Sequence, residues 1–179
     1  MATGSTGALM YASGTTVKFY NEMLLGTVLA NSGFIAGVAS VATNSATIKS
    51  IFKTTALTNG GIVVAVVFVK GIPTIVAVDN KLPYNGATAP YFAQLPTDKS
   101  TWGMFLEKIF AKVNVDYELI NGANMVETWD FLLGVPVAEY SMSGQFAYVT
   151  GDATTIPNSA ADVWTMITTG IKKGDLFGA

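Results

Sequence analysis

Between residues 101 and 113, Trp102, Phe105, Leu106, Ile109, Phe110 and Val113 recur at i, i+3, i+4, i+7, i+8 and i+11. That spacing gathers six large apolar side chains on one face of an α-helix. Such a helix draws its stability from packing that face, so the rest of the chain has to supply an apolar partner. Glu107, Lys108 and Lys112 fall on the opposite side, which the pattern assigns to water. Ser100 stands where a cap for the first turn belongs.

A partner is legible upstream. Gly61 through Val69 and Thr74 through Asp79 are β-branched apolar runs separated by Lys70, Gly71, Ile72 and Pro73. Two such runs around a turn with Gly and Pro predict an antiparallel hairpin. Earlier, Gly33 to Val41 predicts a buried helix capped by Asn31 or Ser32, with Ala36, Gly37, Ala39 and Ser40 small enough for close approach. A further turn or two sets Ile48, Ile51 and Phe52 on one face, and Asn80 to Pro90 reads as a turn-rich loop. Downstream, a shorter helix spans Met125 to Leu133 and stops at Gly134. A last helix, capped by Asn158 or Ser159, carries Trp164, Ile167 and Ile171 and ends at Lys172, Lys173 and Gly174. The order is helix, hairpin, helices: an α+β class without βαβ alternation, a phosphate-binding glycine loop or an internal repeat.

Composition narrows the function classes. Half of the 179 residues are hydrophobic and only 12% are charged, against about 25% in an ordinary soluble domain. A large core, extensive packing against other protein chains, or both would account for so little charge. The net charge of -2 and the lack of a basic stripe argue against nucleic-acid or membrane-surface partners. There is no Cys and no His, and all ten cations are Lys. No thiolate is available as nucleophile or metal ligand, and the usual acid–base side chain near neutrality is missing. The joint absence of Cys, His and Arg is improbable in a natural chain of this length. It raises the expectation of an engineered sequence or of inferred residues, which a gene sequence or tandem mass spectra would settle. The N-terminus lacks the pattern of a signal peptide. Met23 to Ile48 carries no charge, but its Gly, Asn and Ser content is too polar for a membrane span. A soluble, cytoplasmic chain is expected.

Val76, Ala77, Val78, Asp79, Asn80, Lys81, Leu82 and Pro83 resemble the calpain signature in which a hydrophobic strand runs into Asp-Asp-Arg-Leu-Pro. Trp102, then Leu106, Glu107 and Lys108, Ala111 and Lys112, then Tyr117 and Glu118, are similar to the Trp…Leu-Glu-Lys-Ala-Tyr-Ala-Lys…Tyr-Glu helix of that family. Gly122 and the run from Trp129 to Val135 resemble the region around its Thr-Gly-Gly hinge, while Trp164 to Ile167 and Gly170 to Gly178 resemble the helix and Lys-Gly-Ser-Leu-Leu-Gly turn that follow. The blocks keep the family's order across residues 26–179. The resemblance implies a papain-like, calpain-type protease core that is incomplete. It divides the chain into a flexible lead-in at 1–16, the nucleophile-bearing subdomain at 17–134, a hinge or connector at 135–160, and the start of a second subdomain at 161–179.

The same resemblance gives residue 32 its meaning. In calpains a Gly-Asp-Cys-Trp motif opens the buried helix with the nucleophilic Cys; here the stretch is Ala30, Asn31, Ser32, Gly33, Phe34. A helix N-terminus suits a thiolate and an oxyanion. A serine hydroxyl is far harder to ionise and needs a base beside it, so Ser32 is expected to serve as an N-cap. Gly26 stands at the position of the family's oxyanion-donating Gln. The family's His and Asn lie beyond its Lys-Gly-Ser-Leu-Leu-Gly turn, and Gln145 to Thr150 echoes the His motif only by coincidence. Calcium, which the family binds, is poorly matched: Met23 and Ser100 stand where Asp and Glu are expected, and Glu22 and Asp98 are merely nearby. No cofactor is expected, and calcium stays open only as what the resemblance implies, with its side-chain ligands poorly matched. Asp79 is read as a loop cap, and Glu118, Glu127, Asp130 and Glu139 as solvated or turn-capping. The expected function is a catalytically inactive calpain-like domain with a structural or protein-binding role in a larger assembly. The alternative is a fragment, or a Cys-to-Ser form, of an active cysteine endopeptidase.

Overall fold

The computed structural model describes residues 28–54, 57, 61–86, 89–96, 100–137, 159–175 and 177. The lead-in at 1–16, most of the connector, Glu22, Met23, Gly26, Asp98, Glu139 and the 145–150 stretch lie outside the described residues. In chain order the elements are α1 (Ser32–Val41), α2 (Ser45–Ile51), β1 (Ile62–Val69), β2 (Ile72–Asp79), β3 (Tyr84–Asn85), β4 (Ala89–Pro90), α3 (Trp102–Val113), a 3-10 turn (Glu118–Ile120), α4 (Met125–Leu133) and α5 (Ala160–Lys173).

Strands β1 and β2 pair antiparallel, Ile62 opposite Asp79 and Val69 opposite Ile72. The turn is tighter than the expected four residues. Lys70 and Gly71 alone make it, with φ of 52° and 75°. Two positive-φ residues form the primed turn whose twist matches the flanking strands. Ile72 and Pro73 consequently belong to β2, where Pro73 faces Phe68. Val63, Ala65, Val67, Val76 and Val78 alternate into the core. Lysines on α3 cover carbonyls of β2, Lys112 Nζ donating to Ala77 O at 2.6 Å and Lys108 Nζ to Asp79 O at 3.2 Å. Charged groups on an edge discourage pairing with another chain. The segment after β2 holds a second, two-residue pairing of β3 with β4 where a plain loop was expected.

Helix α4 packs on β1, α3 packs on β2 and β1, and α1 packs on α4. The three helices meet at an aromatic cluster: Phe34 stacks on Phe110 with centroids 4.6 Å apart, and Phe110 meets Phe131 edge-on at 4.8 Å. Such pairs add about 1 kcal/mol to the stabilisation from their burial. The small residues of α1 have contact partners as expected. A Cβ on Gly37 would lie 2.8 Å from Thr128, and Trp129 Nε1–H donates to Ser40 Oγ at 2.8 Å. Helix α4 stops at Gly134, left-handed with φ of 60°. Helix α5 starts at Ser159, whose side chain accepts from Asp162 N–H, and stops at Gly174.

Two expectations for α3 fail. Its N-cap is Thr101 rather than Ser100. Glu107 does not face water: it is 2% exposed, as buried as the apolar stripe itself. The stripe is buried as expected apart from half-buried Val113, but Gly103, Met104 and Ala111 are buried too. Contacts with β2, β1 and the 3-10 turn help bury nine of the twelve residues of the helix.

Candidate functional site around the start of α1

The sequence leads to residue 32, and the structure sets it as the first residue of the ten-residue helix α1, with Ser32 exposed and Asn31 as N-cap. The entry to this helix is held from the α4 side. Gly122 N–H donates to Ala30 O at 2.9 Å, and Ala30 N–H donates to Asn121 Oδ1 at 2.8 Å. A Cβ on Gly33 would come within 2.6 Å of Ala123 O and 2.8 Å of Asn124 Cα. Glycine is what lets the two helix starts touch.

Asn31 is fully buried, and its side chain makes no capping bond. Its Nδ2 donates instead to Glu107 Oε1 at 2.7 Å, while Ala93 N–H donates to Glu107 Oε2 at 2.8 Å. Asn31 Oδ1 is buried without a hydrogen-bond partner. One carboxyl group thus ties α3 to the entry of α1 and to the 91–96 segment. Burial raises the Glu107 carboxyl above its ordinary value, and the bonds from Ala93 and Asn31 oppose that shift only in part.

Beside it, Leu82, Phe92, Met104, Glu107 and Tyr117 line a cavity of about 10 Å³, room for a single water molecule at most. Phe92 stacks on Tyr117 with centroids 3.8 Å apart and planes 9° from parallel. Burial, and then the charges of Glu107 and Asp79, hold the Tyr117 phenol far above its usual value, so it stays neutral.

Ser32 Oγ sits at the positive end of a helix whose first N–H groups its own N-cap side chain leaves alone. The hydroxyl still needs a base, and the sequence contains no His. The carboxyl that reaches Asn31 is Glu107, and both of its oxygens are engaged. Gly26, expected at the position of the oxyanion donor, lies outside the described residues. Asp79 caps its loop as expected, Oδ1 accepting from Lys81 N–H at 2.8 Å and from Lys108 Nζ at 2.7 Å. The Lys108 hydrogen bond, foremost, lowers the Asp79 carboxyl below its ordinary value. Glu127 closes the capping box of α4, and Glu118 and Asp130 pair with no second carboxyl in a described bond. Among the described residues no group of three or more His, Cys, Asp or Glu is placed to hold a metal. Ser100, expected where the calcium site of calpains has a carboxylate, is buried and offers a neutral hydroxyl, while Glu22, Met23 and Asp98 lie outside the described residues.

Asn31, Glu107, Ala93 and Tyr117 were not singled out by sequence reasoning as a joined site. The available signal was the unbroken run Trp102, Gly103, Met104, Phe105, Leu106 before Glu107. A helix hydrophobic all round is an enclosed helix.

A family model described as calpain family cysteine protease matches residues 19–179. The match takes in nearly the whole sequence, and the chain belongs to the calpain family. The cysteine-peptidase class and the α+β fold follow from that membership and from the observed helices and small antiparallel sheets. A search of curated proteins gave no match. No described helix is long and apolar enough to cross a membrane.

Proposed function

We propose that this chain is a catalytically inactive calpain-like domain with a structural or protein-binding role in a larger, cytoplasmic assembly. The observation that carries the reading is Ser32 at the exposed start of α1, in a sequence with no Cys and no His. A hydroxyl at a helix start lacks the acidity of a thiol, and nothing in the chain supplies the imidazole that would compensate. Exposed apolar side chains support a role with protein partners: Ile72 and Ile75 on the hairpin and Trp164 and Ile171 on α5. The division into a nucleophile-bearing subdomain at 17–134, a connector at 135–160 and a second subdomain beginning at 161 is part of this proposal. So is the absence of a nucleic-acid partner.

The test is to treat the full gene product with a thiol-directed peptidyl inhibitor and read the intact mass. No adduct is expected, and labelling at residue 32 would sink the inactive reading. One observation favours the second reading, an active cysteine endopeptidase with Ser32 in place of Cys. The helix start is exposed and uncapped by Asn31, as a nucleophile requires. A gene encoding Ser at position 32 and no downstream His would exclude it.

A further inference from the structure

Helix α3 carries a carboxyl group among hydrocarbon neighbours. Glu107 has two N–H donors and, among the described residues, no cationic partner. The residues it joins are far apart in the chain, 76 positions to Asn31 and 14 to Ala93. We propose that Glu107 is a positioning residue for the residue-32 end of α1, acting as a latch whose proton decides how firmly Asn31 and the 91–96 segment are held.

The Asn31 amide can serve either state of the carboxyl. An ionised Glu107 accepts from Nδ2, as seen. A protonated Glu107 keeps the Ala93 N–H on one oxygen and donates its O–H to Asn31 Oδ1 once the amide turns over. Turning over only exchanges which amide atom goes unpaired, so it favours neither state strongly. What separates them is the desolvation of the carboxylate itself. The closed latch therefore holds the protonated form better, and ionisation favours opening to water.

Among the described residues no other facing group confuses the assignment: Asp79, whose charge reaches Tyr117, is paired with Lys108, which holds its carboxyl below the ordinary value. Tyr117, across the cavity, stays neutral. Lys108, next along α3, is held by Asp79 and by Lys81 O. Tyr91 is exposed, and Leu82, Pro83 and Asn31 bring no charge. The calpain pattern has Asp at position 31; with Asn there, the latch works with one titrating group instead of two. None of this depends on whether residue 32 reacts.

The experiment is amide hydrogen exchange of the full chain by NMR, corrected for intrinsic rates, from about pH 5 to about pH 8. It compares the native chain with Glu107→Gln, which keeps both bonds by offering Oε1 to Ala93 and Nε2–H to Asn31 Oδ1. Protection of the Ala93 and Ile35 amides is expected to fall about tenfold per unit by which the carboxyl is raised, and to stay flat in the variant. A flat native profile, or an equal fall in the variant, overturns the proposal. Should the variant fail to fold, a 13C titration of the Glu107 carboxyl in the native chain decides. A midpoint above that of an exposed glutamate supports the latch, and one at or below it refutes it.

Discussion

Helices α1 and α4 both begin after an asparagine, their starts touch, and the two asparagines are used differently. Asn124 accepts from Glu127 N–H at 2.8 Å while Glu127 reaches back to Asn124 N–H, a complete capping box. Asn31 makes no such bond and spends its amide on a buried carboxyl from α3. The helix start that only has to be stable is closed by its own neighbours. The start that carries Ser32, the proposed nucleophile position, is held from outside, and its N-cap side chain leaves the first N–H groups alone.

That contrast can be broken by substitution. Asn31→Asp sets a second carboxyl within 2.7 Å of Glu107. We expect a loss on the order of 3 kcal/mol at neutral pH in denaturant unfolding, smaller in acid and smaller in a Glu107→Gln background. Gly33→Ala forces a Cβ to within 2.6 Å of Ala123 O and should cost about 2 kcal/mol by separating the two helix starts. Asn124→Ala should cost only about 1 kcal/mol, independent of pH, because it removes an ordinary cap. A loss at Asn124 that matched the Asn31→Asp loss in size and pH dependence would erase the distinction.

The pH dependence carries two opposite signs. Glu107 is raised in the folded chain, so its contribution is fully present below the unfolded value and is lost as pH rises through the folded one. Glu107→Gln should therefore gain stability relative to the native chain as pH rises toward neutrality, read as a shift in Tm. Asp79 is lowered, so its contribution is present above the unfolded value and is lost as pH falls through the folded one. Its side chain is 63% exposed, and after solvent screening Asp79→Asn should cost less than about 1 kcal/mol at neutral pH.

Much of this architecture was legible in the residues. The 3.6-residue stripe of α3, the β-branched runs of β1 and β2, and the Gly134 and Gly174 stops are local signals, and each forms where its spacing says. Glu107 was misread for a physical reason. Its neighbours Lys108 and Lys112 do reach the surface, and the arrival of Asn31, Ala93, Leu82, Phe92 and Tyr117 from other segments encloses the carboxyl. Asn31 or Ser32 was expected as the cap of α1; the N-cap position is Asn31 and Ser32 is the first helical residue instead, but the Asn31 side chain bonds Glu107 across the fold rather than the helix. The turn at Lys70 and Gly71 was drawn too long because Pro73 reads as a breaker, yet proline is tolerated on the outermost strand of a sheet.

The central claim is that the residue-32 end of α1 has the setting of a nucleophile site without its chemistry. Hydrolysis of a denatured protein substrate, measured with calcium present for the intact chain and for Ser32→Ala, tests it most directly. The account predicts no turnover and no difference between the two. Turnover by the intact chain that Ser32→Ala abolishes would contradict it.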